Sequence, residues 1–282
     1  RFLPTAQFAG TPGGLITRLI DSSNYLVSSN EYGPRVRNPF GMQDDGDHSR
    51  IYDATPVLVD IDNDGDLDVF VGESGGAVSF HKNIGTATSP SFQTWTDDPL
   101  GLTDIGGYSD PEFGDIDGDG DLDAFVGGYY DSYGTNFPGT LLFRNYGSAS
   151  EPYFHQDGSL KSLYGLDPEK TQDPTLVDLD GDGDLDLFST GEIRDEEELS
   201  TTYVTFYFEN IGSKNNPNFR QQPQQNPFGI NNIPSAPKAS FVDFDKDGDF
   251  DLFMGAWDGK TRYYQNTGSA TTICATLNWT YL

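Results

Sequence analysis

The stretch Asp60-Ile61-Asp62-Asn63-Asp64-Gly65-Asp66-Leu67-Asp68, followed by Val69-Phe70-Val71-Gly72, sets five carboxylates on alternate positions around one glycine. The pattern returns three times, as Asp115, Asp117, Asp119, Asp121 and Asp123, as Asp178, Asp180, Asp182, Asp184 and Asp186, and as Asp243, Asp245, Asp247, Asp249 and Asp251. Carboxylates this dense repel one another and suit no apolar core. They suit a hard divalent cation that gathers several oxygen ligands from a short, sharply turned loop.

Numbering each loop from 1, side chains at 1, 3 and 5 converge when the chain curls around an ion, and the glycine at 6 permits the turn. Position 7 (Asp66, Asp121, Asp184, Asp249) is expected to offer its backbone carbonyl, and the position 9 carboxylate closes the site. An EF-hand is excluded, because position 12 holds Val71, Val126, Ser189 or Met254 where that loop requires Glu. Magnesium prefers a tighter octahedron and keeps its waters. Zinc or copper would call for His or Cys, and His48, His81 and His155 form no cluster. The expectation is about four Ca²⁺ ions, one per loop. Solvated acidic turns are the bland alternative, which does not account for one spacing repeated four times.

The repeat extends beyond the acids. Upstream stand Asn38-Pro39-Phe40-Gly41, Asp98-Pro99-Leu100-Gly101, Leu163-Tyr164-Gly165-Leu166 and Asn226-Pro227-Phe228-Gly229. Downstream, each loop leads into a Val/Phe-rich run and then Phe80-His81-Lys82-Asn83, Phe143-Arg144-Asn145, Phe208-Glu209-Asn210 or Tyr264-Gln265-Asn266. Three units add Pro90-Ser91-Phe92, Pro152-Tyr153-Phe154 or Pro217-Asn218-Phe219. Each unit thus reads as four short strands joined by turns, with no long amphipathic helix. Four strands in a period of about 55 to 65 residues predict an all-β fold, a β-propeller with one blade per repeat. The predicted blades are 38–97, 98–162, 163–225 and 226–282, with the Phe and Val residues after each acid loop packed between blades. Residues 1–37 form an N-terminal segment that is a candidate closing strand. The chain is either four-bladed or part of a larger propeller.

Net charge is −29, from 45 acidic against 16 basic residues, and the four loops hold nearly half of those acids. Such a surface repels nucleic acid and anionic lipid. Cys274 is the single cysteine, so no intramolecular disulfide forms. No run approaches the ~20 apolar residues of a membrane span.

The Asp-x-Asp-x-Asp-Gly-x-x-Asp loops followed by Phe-Val-Gly resemble FG-GAP/VCBS repeats, the repeats of integrin α-subunit propellers and many secreted bacterial proteins. The resemblance covers about residues 38 to 270. It implies that the loops bind Ca²⁺ through positions 1, 3, 5, 7 and 9 and stabilise individual blades, away from the face that meets ligand. Family members with about seven blades differ from the four visible here.

No Gly-x-Ser-x-Gly elbow, His-Glu-x-x-His motif or Walker loop is present, and nothing singles out a carboxylate pair for hydrolysis. The expected function is therefore non-enzymatic: an extracellular, secreted or cell-surface binding or adhesion module that recognises protein or carbohydrate. A structural scaffold in a cell-surface assembly is the alternative, and a secreted hydrolase comes third. Candidate recognition loops are the insertions Tyr129-Tyr130-Asp131-Ser132-Tyr133-Gly134 and Glu192 to Thr202. Their aromatics suit either sugar stacking or ordinary packing. Trp257 is either ligand-facing or core, and Asp195-Glu196-Glu197-Glu198 reads as a solvated loop.

Overall fold

The structure is a computed structural model that describes residues 54–93, 96–97, 99–128, 139–167, 170–195, 200–230, 233, 237–267 and 280–281. The insertion at 129–134 and the N-terminal segment 1–37 lie outside these residues. Four antiparallel four-stranded sheets follow one another along the chain, each built from one continuous stretch and each in simple sequential strand order. The first sheet is β1 (Thr55–Val59), β2 (Asp68–Gly72), β3 (Val78–His81) and β4 (Thr96–Asp97). The second is β5 (Ser109–Gly114), β6 (Asp123–Gly128), β7 (Leu141–Asn145) and β8 (Phe154–Ser159). The third is β9 (Asp173–Val177), β10 (Asp186–Asp195), β11 (Ser200–Phe208) and β12 (Gln224–Gln225). The fourth is β13 (Lys238–Val242), β14 (Asp251–Gly255), β15 (Thr261–Tyr264) and β16 (Thr280–Tyr281).

Each acidic loop joins the first and second strands of its sheet, so position 9 opens the second strand. In the second sheet the Pro-x-Phe segment opens the fourth strand, with Phe154 opposite Asn145, whereas in the first and third it stands ahead of that strand. Phe92 and Phe219 make single bridges to Asn83 and Asn210 before β4 and β12 begin. The fourth sheet forms its outer strand without that motif, through Thr280 and Tyr281 on β15. Glu192 to Thr202 was expected as a loop. Instead β10 and β11 continue as a paired ribbon out to Asp195 and Ser200. The β-branched Thr201 and Thr202 on the returning strand favour that extension.

A further difference falls at Leu163-Tyr164-Gly165. Where the second and fourth copies make one 3-10 turn at Pro99–Gly101 and Pro227–Gly229, the third makes a short helix, α1 (Leu160–Tyr164). Ser159 and Ser162 cap it reciprocally, and Gly165 ends it in the left-handed conformation.

The apolar core sits in three layers between successive sheets. Phe70 of the first sheet packs with Phe113 and Phe143 of the second. Phe125 and Leu142 of the second meet Leu187 and Phe206 of the third. Phe188 of the third meets Phe241 and Met254 of the fourth. The phenylalanine that follows each of the first three acid loops is therefore an inter-sheet residue, as the sequence indicated. Its partner is the second-last residue of the next sheet's first strand: Phe70 to Phe113 at 4.5 Å and Phe188 to Phe241 at 5.0 Å between ring centroids.

The glycine closing Phe-Val-Gly lets the sheets approach this closely. A Cβ on Gly72 would lie 2.2 Å from Ser109 O, and one on Gly127 would lie 2.4 Å from Gln172 O. In the third sheet Thr190 takes this place, and its hydroxyl donates to Pro237 O at 2.8 Å. In the fourth, Gly255 has open space. That sheet's forward face is uncovered among the described residues. Phe244 is 60% exposed, whereas Ile61, Ile116 and Leu179 at the same loop position are buried. Phe244, Phe253 and Tyr263 instead pack on one another, with centroids 4.9 to 5.6 Å apart.

Three first strands also converge. Lys238 on β13 pairs with Asp173 on β9 at 2.9 Å and with Asp110 on β5 at 3.0 Å, linking the fourth sheet to the third and the second.

Candidate metal centres

Two left-handed residues shape every acid loop. The position 6 glycines Gly65, Gly120, Gly183 and Gly248 have φ between 93° and 99°. Position 4 is left-handed as well, at Asn63, Gly118, Gly181 and Lys246. Asn and Gly carry a signal for that conformation in sequence, whereas Lys246 carries none. Hydrogen bonds then hold the acids in place. The position 7 N–H donates to the position 5 carboxylate in all four loops, as from Asp66 to Asp64 and from Asp184 to Asp182, both at 3.1 Å. In the first loop Asp60 accepts from Asp64 N and Gly65 N, and in the third Asp178 accepts from Gly181 N and Gly183 N.

The loops thereby bring three carboxylates within 4.8 Å of one another four times over: Asp60, Asp62 and Asp64; Asp115, Asp117 and Asp119; Asp178, Asp180 and Asp186; Asp243, Asp245 and Asp247. Oxygens left without a hydrogen-bond partner are buried at these clusters. They include Asp62 Oδ1, Asp68 Oδ2, Asp115 Oδ1, Asp117 Oδ1, Asp123 Oδ2 and Asp243 Oδ1. Position 7 contributes one such oxygen in every loop: Asp66, Asp121, Asp184 and Asp249 all bury Oδ1 without a partner. Buried polar atoms are ordinarily satisfied, so orphaned carboxylate oxygens at one repeated place fit a hard, oxygen-seeking cation.

The position 9 aspartates have a second task. Asp68, Asp123, Asp186 and Asp251 are buried, and each accepts the backbone N–H of an asparagine at or just beyond the end of the third strand. The donors are Asn83 at 2.6 Å and Asn145, Asn210 and Asn266 at 2.8 Å. Three of these asparagines clasp the next hairpin: Asn83 Oδ1 accepts from Gly85 N and Ser91 N, Asn145 Oδ1 from Gly147 N and Tyr153 N, and Asn210 Oδ1 from Gly212 N and Asn218 N. The sequence displayed the Asn-x-Gly element, but its link to the acid loop required the fold.

Burial raises Asp68, Asp123 and Asp186 to about 7, against the ordinary 3.8, with their asparagine N–H bonds opposing the rise. Asp121, Asp184 and Asp249 rise to about 6, first through desolvation and then through repulsion from the neighbouring position 5 aspartate. Carboxylates driven toward neutrality by burial and one another are the groups a cation would return to the charged form.

The loops lie at the same end of each sheet as the connections between third and fourth strands. The connections between second and third strands, Trp257 among them, lie at the other end. Trp257 is 74% exposed there and so is not a core residue. At the loop end, Asn215 of the third sheet donates to Asp117 O and Gly118 O of the second loop. No helix among the described residues is long and apolar enough to cross a membrane.

Residues 60–126 match the family model described as an FG-GAP-like repeat. The match runs from the start of the first acid loop, through the second, to Val126 on β6, and bears out the resemblance over that span. No curated protein matches the chain.

Proposed function

We propose that the chain is a calcium-stabilised, propeller-type binding module that works outside the cell. The observation that carries the reading is the set of buried, unpartnered carboxylate oxygens recurring at position 7 of all four loops. Asp60, Asp62, Asp64, Asp66 and Asp68, with their counterparts in the other three loops, form the proposed ligand sets. Position 7 contributes its carboxylate, and not only the carbonyl expected from the sequence. Calcium would offset the excess negative charge of the loops, fixing the turn between first and second strands. Four successive sheets, three inter-sheet cores and first strands tied together by Lys238 support a propeller arrangement.

Sites of modest affinity fill where free calcium is millimolar, which fits a module that works in the extracellular space. Recognition of protein or carbohydrate falls to the end opposite the loops, where Trp257 is exposed and β10 and β11 extend as a ribbon. Nothing at the loops provides an acid–base pair free of the ion, so the reading is non-catalytic. A scaffold role is the second reading, favoured by the aromatic cluster of the fourth sheet, where Phe244 is exposed and no other described sheet packs over it.

Calorimetric titration with Ca²⁺, paired with melting in chelator, tests the metal. About four ions and a lower melting temperature on chelation are expected, and no uptake would overturn the reading. A glycan and protein array separates the two roles: specific retention that Trp257→Ala abolishes supports recognition, and a blank array favours the scaffold.

A further inference from the structure

The four loops are alike in their aspartates but not in what faces them. The residue just before each of the four asparagines faces position 3 of its own loop, and it differs in every sheet. In the first sheet Lys82 Nζ donates to Asp62 Oδ2. In the second Arg144 Nη1 donates to Asp117 Oδ2, while its Nε pairs with Asp157 at 2.8 Å. In the fourth the neutral Gln265 donates to Asp245 Oδ2 at 2.6 Å. In the third the residue is Glu209, an acid whose charge bears on Asp180. Arg220 holds one Glu209 oxygen, Oε2, at 3.0 and 3.1 Å through Nη2 and Nε. The second loop meets another cation from the neighbouring sheet, Lys214 Nζ, 3.4 Å from Asp115 Oδ2.

A second difference runs in parallel. In the third and fourth sheets a tyrosine hydroxyl donates to the outer oxygen of position 9, Tyr207 to Asp186 at 2.8 Å and Tyr263 to Asp251 at 3.0 Å. The backbone N–H groups of Leu179 and Phe244 donate to the same oxygens. The matching residues Phe80 and Leu142 have no hydroxyl, and Asp68 Oδ2 and Asp123 Oδ2 are buried without a partner. Loops one and two thus balance an unsatisfied carboxylate oxygen with a lysine or arginine. Loops three and four balance theirs with neutral donors.

We propose that Lys82 and Arg144 divide the four loops into two affinity classes, with loops one and two binding Ca²⁺ more weakly than loops three and four. This rests on the metal reading above. A side-chain cation bonded to a prospective ligand must release it or remain as a like charge beside the ion, and either weakens binding. The extra free oxygen at Asp68 and Asp123 works the other way, but a ligand oxygen gained does not offset a whole like charge a few ångströms from a divalent ion. Lys246 in the fourth loop is exposed, so water screens it more than the bonded Lys82 and Arg144.

The test is calorimetric titration of the whole chain with Ca²⁺, for the native protein, K82Q with R144Q, and E209K. The native isotherm is expected in two classes differing by about tenfold or more. K82Q with R144Q should draw the weak class toward the tight one, an effect that shrinks in the native comparison as salt rises. E209K should move one ion from tight to weak. Melting each variant in chelator shows that it is folded, because these side chains are partly exposed. A single class that neither set of substitutions shifts would overturn the division while leaving the metal reading intact. No uptake by any form would overturn both.

Discussion

Lys238 Nζ lies 3.0 Å from Asp110 Oδ2 although 128 residues separate them, and the same ammonium lies 2.9 Å from Asp173. Both carboxylates are buried, while the lysine is about a third exposed. One cation therefore neutralises two acids that the convergence of β5 and β9 would otherwise force together. Lys238→Ala leaves them buried and opposed. It should cost about 3 kcal/mol of unfolding free energy, at the low end for a broken buried pair because the lysine is partly hydrated. Denaturant unfolding checks this, and a loss within 0.5 kcal/mol, the ordinary range for a surface change, would count against the convergence.

Close approach of successive sheets predicts an asymmetry among like-placed glycines. Gly72→Ala and Gly127→Ala would drive a methyl into the backbone of the next sheet, whereas Gly255→Ala meets open space. The first two should each lose about 2 kcal/mol or more by overpacking, and the third should stay near neutral. Comparable losses at all three positions, read from melting curves, would mean that a further sheet covers Gly255.

Sequence carried the strands, their grouping in fours and the acid loops, because each depends on local signals: alternating apolar residues, turn glycines and a fixed carboxylate spacing. Phe70 and Phe188 were legible as inter-sheet residues because the repeat placed an aromatic at one strand position. What sequence left hidden was mostly long-range. Lys238 looks like any surface lysine until β5 and β9 are beside it, and Lys82 does not announce itself as the partner of Asp62 twenty residues away. The ribbon formed by Glu192 to Asp195 and Ser200 to Thr202 escapes the sequence for a different reason. Acidic residues on its outgoing arm suggested solvated loop, and cross-strand pairing overrode that preference.

The asparagine clasp gives a third prediction. Asn83 is buried and its Oδ1 accepts two backbone N–H groups, from Gly85 and Ser91, each at 3.0 Å. Asn83→Ala leaves both donors in a tight turn without an acceptor. It should cost about 2 kcal/mol, with the same change at Asn210 costing a similar amount. Hydrogen exchange locates the effect: faster exchange should appear at Gly85 and Ser91 and spread to Asp68, whose carboxylate accepts the Asn83 N–H. Unchanged protection at those amides would show that the clasp does not form in solution.

Removal of metal should invert the pH dependence of stability. Asp68, Asp123 and Asp186 titrate near 7 in the fold, and Asp121, Asp184 and Asp249 near 6, against 3.8 for an ordinary aspartate. A raised carboxylate pKa means that the folded chain holds its protons more tightly than the unfolded one. This contribution is full below about pH 4 and is lost as pH rises through 6 to 7. His81 acts in the opposite sense, because burial lowers its pKa from 6.5 and its protonation disfavours the fold as pH falls. It is one imidazole against six carboxylates. In chelator the melting temperature should therefore fall between pH 4 and 7.5. With calcium present the ion competes with those protons, so uptake strengthens with pH and the melting temperature should rise over the same range. Two curves of opposite slope are the expected result. Parallel curves would mean that these carboxylates neither titrate as their burial requires nor exchange protons for metal.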